Sequence, residues 1–388
     1  MIPRLAEKAL EKLARSFPVV AITGPRQSGK TTLAKLVFQH KPYVSLENPD
    51  TLDHALNDPR DFLASYQQGA VFDEVQRAPQ LFSYLQEIVD ASNKTGRFIV
   101  TGSCQFSLVA KITQSLAGRI GFLQLLPFSL AELKNSWKPK TCDMLFYGLY
   151  PALHDRNIEP QLYYPNYVQT YLEKDLRLLQ NIQNLAAFRL FLRLCAARTG
   201  QVLNMSSIGN DCGVNRNTVR GWLSVLQASF LLHLLQPHHE NFRKRMIKAP
   251  KLYFFDTGLA CSLLGIQSAD QLSNHPLKGA LFETWVVSEL FKQRFNCGLP
   301  SNLYYWRDRT GNEIDLIIDQ GLKLWGLEIK SAKTVTGDFF KNIHRWKEIA
   351  GERVEKCFLI YDGERSQLRS QFIHVLPAKK ITLLLNKI

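Results

Sequence analysis

The sequence predicts an α/β protein with a parallel sheet near its N-terminus, a helical middle and a second α/β unit at its C-terminal end. Three observations carry this reading. Apolar runs of strand length alternate with helical patterns over the first third of the chain. From about residue 165 to 235 the apolar spacing is helical. After residue 300, strand-like segments return around one further helical stretch. The 388 residues fit two or three domains at about 150 residues each.

Residues 3–16 place Leu5, Ala9, Leu10 and Leu13 on one face of an amphipathic helix, and Pro18 ends it. Residues 19–23 are Val-Val-Ala-Ile-Thr, the continuous apolar run of a strand buried on both faces. Residues 70–72 and 98–101 read the same way, and a helix carrying Leu81, Leu85, Ile88 and Val89 lies between them. The polar, Pro-containing stretch at 134–141 is a candidate linker. Strands are expected at 303–306, 314–318 and 322–329, a helix at 339–350 and a strand at 356–361. The expected units are residues 1–140, 141–265 and 266–388.

The net charge of +14 and pI near 9.4 favour contact with a polyanion. Apolar runs are broken well short of the roughly 18 residues that span a bilayer, so no membrane association is expected. Arg4, Glu7, Lys8, Glu11, Lys12 and Arg15 leave no apolar signal-peptide core. Seven cysteines without a C-x-x-C pair argue against a zinc site and against a disulfide framework. The expectation is a reduced, cytoplasmic protein.

Gly24, Pro25, Arg26, Gln27, Ser28, Gly29, Lys30 and Thr31 fit G-x-x-x-x-G-K-[ST] at every fixed position. Glycines let backbone N–H groups wrap phosphates, the lysine reaches the β and γ phosphates, and the threonine hydroxyl ligates magnesium. A strand precedes the loop, and Thr31, Thr32 and Leu33 open a helix whose N-terminus favours anions. The expected ligands are therefore ATP and Mg2+. Residues 71–74, Val-Phe-Asp-Glu, deliver two carboxylates from a strand end. Asp73 is expected to hold the metal and Glu74 to polarise the attacking water. Ser103, after the next strand, suits a γ-phosphate sensor or equally a helix N-cap over 104–112. Arg119 suits an arginine finger, or it is a surface arginine.

The segments 24–33, 72–79 (Phe-Asp-Glu-Val-Gln-Arg-Ala-Pro), 101–103 (Thr-Gly-Ser) and 115–119 (Ser-Leu-Ala-Gly-Arg) together resemble one large family. It is that of prokaryotic AAA-type ATPases ending in a nuclease-like domain of unknown function. The resemblance covers nearly the whole chain. It implies an AAA-like P-loop NTPase domain, a helical winged-helix middle domain and a C-terminal restriction-endonuclease-like domain.

Residues 206–220 read as helix, tight turn at Gly213 and second helix capped by Asn215. Arg216, Asn217 and Arg220 suit a recognition helix in a DNA major groove. Arg243, Lys244, Arg245, Lys248 and Lys251 suit a basic wing on phosphates. The alternative is a unit that packs on the nucleotide domain and transmits its state. His233, His238 and His239 have no metal-site spacing and read as surface or core residues.

In the last unit, strand alternation converges Asp315, Glu328 and Lys330 on one side of a hairpin that turns at Gly321. Two carboxylates can hold a divalent metal that activates water, with the lysine offsetting charge. The Asp…Glu-x-Lys pattern resembles the restriction-endonuclease-like nucleases, and Glu283 matches their upstream acidic residue. That resemblance implies Mg2+ or Mn2+ on Glu283, Asp315 and Glu328, and DNA as partner. The plain alternative is a Glu328–Lys330 surface pair. Two functions stand at this point: an ATPase whose nucleotide state controls a DNA-directed nuclease-like module, or a slow ATPase switch that recruits a protein partner or a second copy of itself.

Overall fold

The computed structural model describes residues 2–92, 94–102, 115–134, 137–172, 184–238 and 248–385. The first sheet contains β1 (Val19–Thr23), β2 (Tyr43–Ser45), β3 (Ala70–Asp73), β4 (Phe98–Gly102) and β5 (Ile120–Gln124). Its order is β2-β3-β4-β1-β5, and every pair is parallel. β1 lies between β4 and β5 and is buried along its whole length, as its unbroken apolar run requires. Two strands have no clear signature in the sequence. β2 has three residues, and β5 carries Gly121, where a Cβ would come within 2.7 Å of the Phe17 ring. The first helix is shorter than expected, Glu7–Ser16, which leaves Arg4 free to turn inward.

In the middle, the helix Met205–Cys212 ends on Gly213 in the left-handed region (φ 66°). Asn215 Oδ1 then accepts the Thr218 N–H at 2.8 Å and starts the helix Arg216–Ala228. Val219, Leu223 and Leu226 are buried. β6 (Leu232–Leu235) and β7 (Lys251–Phe254) form an antiparallel pair. The stretch near 235 was expected to be helical. Phe230, at φ 53°, breaks that helix and lets the chain enter β6.

The C-terminal sheet comprises β8 (Leu303–Arg307), β9 (Glu313–Asp319), β10 (Leu324–Lys330), β11 (Val354–Tyr361), β12 (Gln367–Ser370) and β13 (Ile373–Pro377). Its order is β12-β13-β11-β10-β9-β8. β8, β9 and β10 form an antiparallel meander, and β10, β11 and β13 run parallel. The helix Lys278–Asn296 packs on β7, β10 and β5. The helix Lys341–Ala350 presses Trp346 onto Gly326, where a Cβ would lie 2.5 Å from the ring.

The first sheet has an apolar layer on each face. The largest core runs from Leu126 to Leu384 without a break at 265/266. The expected middle and C-terminal units therefore share one interior. The reason is the helix Lys278–Asn296, which buries residues all round its surface and serves both sides. No helix among the described residues is long and apolar enough to cross a membrane.

Candidate functional site

The nucleotide loop leaves β1 and closes at the helix Lys30–Val37. Gly24 must be glycine, because a Cβ there would lie 2.1 Å from the Leu125 carbonyl oxygen. Gly29 takes φ 90° as the helix N-cap, and no side chain caps the first turn. Its N–H groups are thus available to an anion. Ser28 Oγ is buried and without a hydrogen-bond partner among the described residues. Lys30 is buried and donates to the carbonyls of Gly24 (3.1 Å) and Pro25 (2.8 Å) inside the loop. These features suit a bound polyphosphate, which would draw the ammonium off those carbonyls.

The strand end of β3 meets this loop. Thr31 Oγ1 donates to Asp73 at 3.0 Å, Tyr43 OH donates at 2.7 Å, and Thr101 Oγ1 also contacts Asp73. Thr31 and Asp73 are thereby side by side, where both could hold a magnesium ion. Glu74 follows in the left-handed region (φ 56°), which points it into the cleft, and Gln76 donates to it. Burial raises the Glu74 pKa, against the lowering pull of Lys30, Gln76 and Arg26.

Sequence reasoning missed Arg4. Its guanidinium donates to the Ser28 carbonyl (2.7 Å), the Leu126 carbonyl (2.7 Å) and Glu132 (2.9 Å). Arg4 and Glu132 are both buried. This cation fixes the back of the loop to β5's exit, yet no local motif surrounds it. Replacing Arg4 with methionine should cost about 3–5 kcal/mol, because Glu132 is left as an unpaired buried charge. Denaturant unfolding checks this; a loss within about 0.5 kcal/mol, the range of an ordinary surface change, would refute it.

A cleft of about 660 Å³ opens over the loop. Arg26, Gln27, Lys30, Thr31, Thr32 and Glu74 line one side, and the middle region supplies the other with Asp155, Arg156, Tyr163 and Tyr167. Tyr163 OH donates to Gln27 at 2.9 Å, and the Arg26 guanidinium lies 5.2 Å from the Tyr171 ring centre. Arg156 is an exposed cation of this cleft that no sequence pattern marks.

Arg119 does not reach the cleft within this chain. It precedes β5 at the edge where β1 begins, about 15 Å of strand from the loop. There its guanidinium pairs with Asp90 (2.9 Å from Nη2). Ser103 and the expected helix 104–112 lie outside the described residues, as do Arg243, Lys244, Arg245 and His239.

In the C-terminal unit, antiparallel pairing of β9 with β10 brings Asp315 and Glu328 together. Lys330 Nζ lies 2.7 Å from Glu328 and 3.8 Å from Asp315. Asp315 also accepts the Ile329 N–H at 2.7 Å. Glu328 is buried, and its Oε2 has no hydrogen-bond partner among the described residues. Burial, with Asp315 beside it, pushes the Glu328 carboxyl up to about 8. The pair is therefore no surface pair.

Glu283 lies against this group, but the set that converges most closely includes a residue not foreseen, Glu313. Ligand atoms of Glu283, Glu313 and Asp315 lie within 4.8 Å of one another. Lys251 is the second surprise. Expected on an exposed wing, it is buried, with Nζ 3.0 Å from Glu283 and ion-paired with Glu313. β7 carries it inward because Lys251 pairs with Leu235 and bridges Val202. Arg216, Asn217, Arg220 and Lys248 are exposed, as expected. His238 is buried 3.0 Å from Asp319, and His233 packs on Phe291; burial lowers the His233 pKa to about 4.

Residues 16–134 match the model of an AAA domain, so this part of the chain has an AAA-type P-loop ATPase fold. Residues 138–270 and 278–381 match two models described as domains of unknown function, DUF8612 and DUF4143. Uncharacterized protein Rv2008c of Mycobacterium tuberculosis and uncharacterized protein Mb2031c of Mycobacterium bovis are each 30% identical over 382 residues. The match covers 97% of this chain and 84% of each relative. The chain belongs to the family of these two mycobacterial proteins. Among solved structures, a Walker-type ATPase of Pyrococcus abyssi is similar at a TM-score of 0.45 and 14% identity, over 67% of this chain and 95% of that one.

Proposed function

We propose that the chain is a magnesium-dependent ATPase whose nucleotide state acts on a DNA-directed, nuclease-like C-terminal unit. The observation that supports it best is the pairing of Thr31 with Asp73 beside a loop whose lysine is held in reserve on its own carbonyls. In this reading the N–H groups of residues 24–31 hold the phosphates, with Thr32 extending the first helical turn. Lys30 moves onto the β and γ phosphates. Thr31 and Asp73 hold Mg2+, which neutralises phosphate charge. Glu74 takes a proton from the attacking water. Arg119 can meet a phosphate only from a neighbouring copy, so a finger role for it requires a homo-oligomer.

Support for the DNA part comes from the +14 charge and from Arg216, Asn217 and Arg220 exposed on the second helix of the tight pair. Support for a nuclease-like, Mg2+- or Mn2+-binding site comes from Asp315 and Glu328 each contacting Lys330, with Glu283 adjacent. Residues 1–140 would then bind nucleotide, 141–265 transmit its state, and 266–388 carry the second site. The rival is a slow switch that recruits a protein partner. It is favoured by the ion pairs that already fill the acidic cluster. ATP hydrolysis with and without duplex DNA at low salt separates the two. DNA should stimulate turnover, and its affinity should fall with salt at a log–log slope of about −0.9 per phosphate contact. Turnover indifferent to DNA, with no DNA bound at low salt, would favour the switch.

A further inference from the structure

We infer that Lys251 is the resident cation of the C-terminal carboxylate site, and that a divalent metal binds there only by displacing its ammonium. This rests on the reading of that site as metal-binding. The geometry comes first. Lys251 Nζ is 3.0 Å from Glu283 Oε1 and also ion-paired with Glu313. Those are two of the three residues whose ligand atoms converge within 4.8 Å, with Asp315 as the third. An ammonium paired with two carboxylates of such a trio takes up oxygens that would have to hold a divalent metal. Two like charges about 4 Å apart in a poorly solvated site repel by several kcal/mol, so the two cations exclude each other.

Charge matching points the same way. Four carboxylates meet here: Glu283, Glu313, Asp315 and Glu328. Among the described residues, three cations face them. Lys251 is one, Arg307 lies 3.1 Å from Glu313, and Lys330 contacts Glu328 and Asp315. With Lys251 in place one negative charge is left over when all four carboxylates are ionised. With Lys251 withdrawn the carboxylates gain one further uncompensated negative charge, which favours another cation in its place. Buried ionic groups are stable only when matched, so ammonium and metal are alternative partners for the same carboxylates. The lysine also has somewhere to go. Its Nζ is 5.9 Å from the Tyr253 ring centre and 5.7 Å from that of Tyr305, faces that can receive a displaced ammonium.

This arrangement joins two parts of the chain. Lys251 is held by β7, whereas Asp315 and Glu328 belong to β9 and β10. The metal affinity of the second site is thus set from the middle of the chain as well as by the site's own carboxylates.

The test is Mn2+ binding to the full chain without nucleotide, followed by electron paramagnetic resonance of the free ion. Wild type, Lys251→Met, and Lys251→Met combined with Asp315→Asn are compared. Methionine keeps the length and apolar stem of lysine and removes its charge. The single variant should bind one Mn2+ at least about tenfold more tightly than wild type, equivalent to about 1.4 kcal/mol, and Asp315→Asn should abolish that gain. Lys251→Gln, which also lacks charge but can still hydrogen-bond Glu283, should behave alike and replaces the methionine variant if that fails to fold. An Asp315-dependent site of equal affinity in wild type and neutral variants would overturn the inference and leave the metal reading standing. No Asp315-dependent Mn2+ in any variant would overturn the metal reading, and the inference with it.

Discussion

Lys30→Ala is expected to lower ATP turnover by about 10²–10³-fold, the usual loss when one preorganised charge-stabilising donor is removed. The lysine is buried in the loop, and its ammonium rests on the Gly24 and Pro25 carbonyls, within the loop that would wrap the phosphates. Alanine supplies no replacement, so both binding and turnover should fall. Glu74→Gln should separate the two. It leaves the Thr31–Asp73 pair intact, so ATP should still bind, while hydrolysis slows because an amide cannot accept the proton of the attacking water. Glu74 also predicts a pH dependence. Burial raises its pKa above the ordinary glutamate value of 4.5. A base must be unprotonated to act, so kcat/KM of wild type should rise with pH through that raised value and the acidic limb should vanish in Glu74→Gln. Isothermal titration with ATP, together with phosphate release across pH, checks each part. Wild-type turnover in both variants would remove the assignment.

The nucleotide loop was legible because its chemistry is local. Eight consecutive residues set the backbone path, and β1 and the helix Lys30–Val37 flank them in sequence. Asp73 was legible for a similar reason, as the end of an apolar strand. Arg4 was not, since its meaning depends on Leu126 and Glu132, more than a hundred residues away. Arg119 shows a limit of the opposite kind. Its neighbourhood looks functional, but parallel pairing of β1 with β5 puts it at the end of the sheet away from the loop of the same chain, which no local pattern reveals. In the C-terminal unit the period-two alternation correctly paired Asp315, Glu328 and Lys330. Reading residues 243–251 as a basic wing, by contrast, counted Lys251 as surface because it follows a basic stretch. Only the pairing of β7 with β6, and the helix Lys278–Asn296 beyond it, turn that lysine onto Glu283. Gly121 and the three-residue β2 hid two strands, since neither offers a run of strand-favouring side chains.

The C-terminal site carries the second large expected effect, loss of metal-dependent DNA nicking in Asp315→Asn and Lys330→Ala. Asparagine is chosen because Asp315 also accepts the Ile329 N–H at 2.7 Å, and an amide oxygen can keep that bond while removing the charge. A fall in activity then reports on charge and metal rather than on a broken hairpin. Lys330 contacts both Asp315 and Glu328, so it is placed to offset negative charge developing on an attacked phosphate. Losing that cation should cost about 10²-fold or more. ATP hydrolysis should be unchanged in both variants, because neither residue lines the nucleotide cleft. Relaxation of supercoiled plasmid with Mn2+, with and without ATP, gives the readout, and calorimetry with Mn2+ reports binding separately. Equal nicking by wild type and both variants would trace the activity to a contaminant. If no nucleotide state yields nicking and the wild type binds no Mn2+, the four carboxylates with Lys251, Arg307 and Lys330 are an ion-pair network that fastens β7 to β9 and β10, and the chain acts through its ATPase site alone.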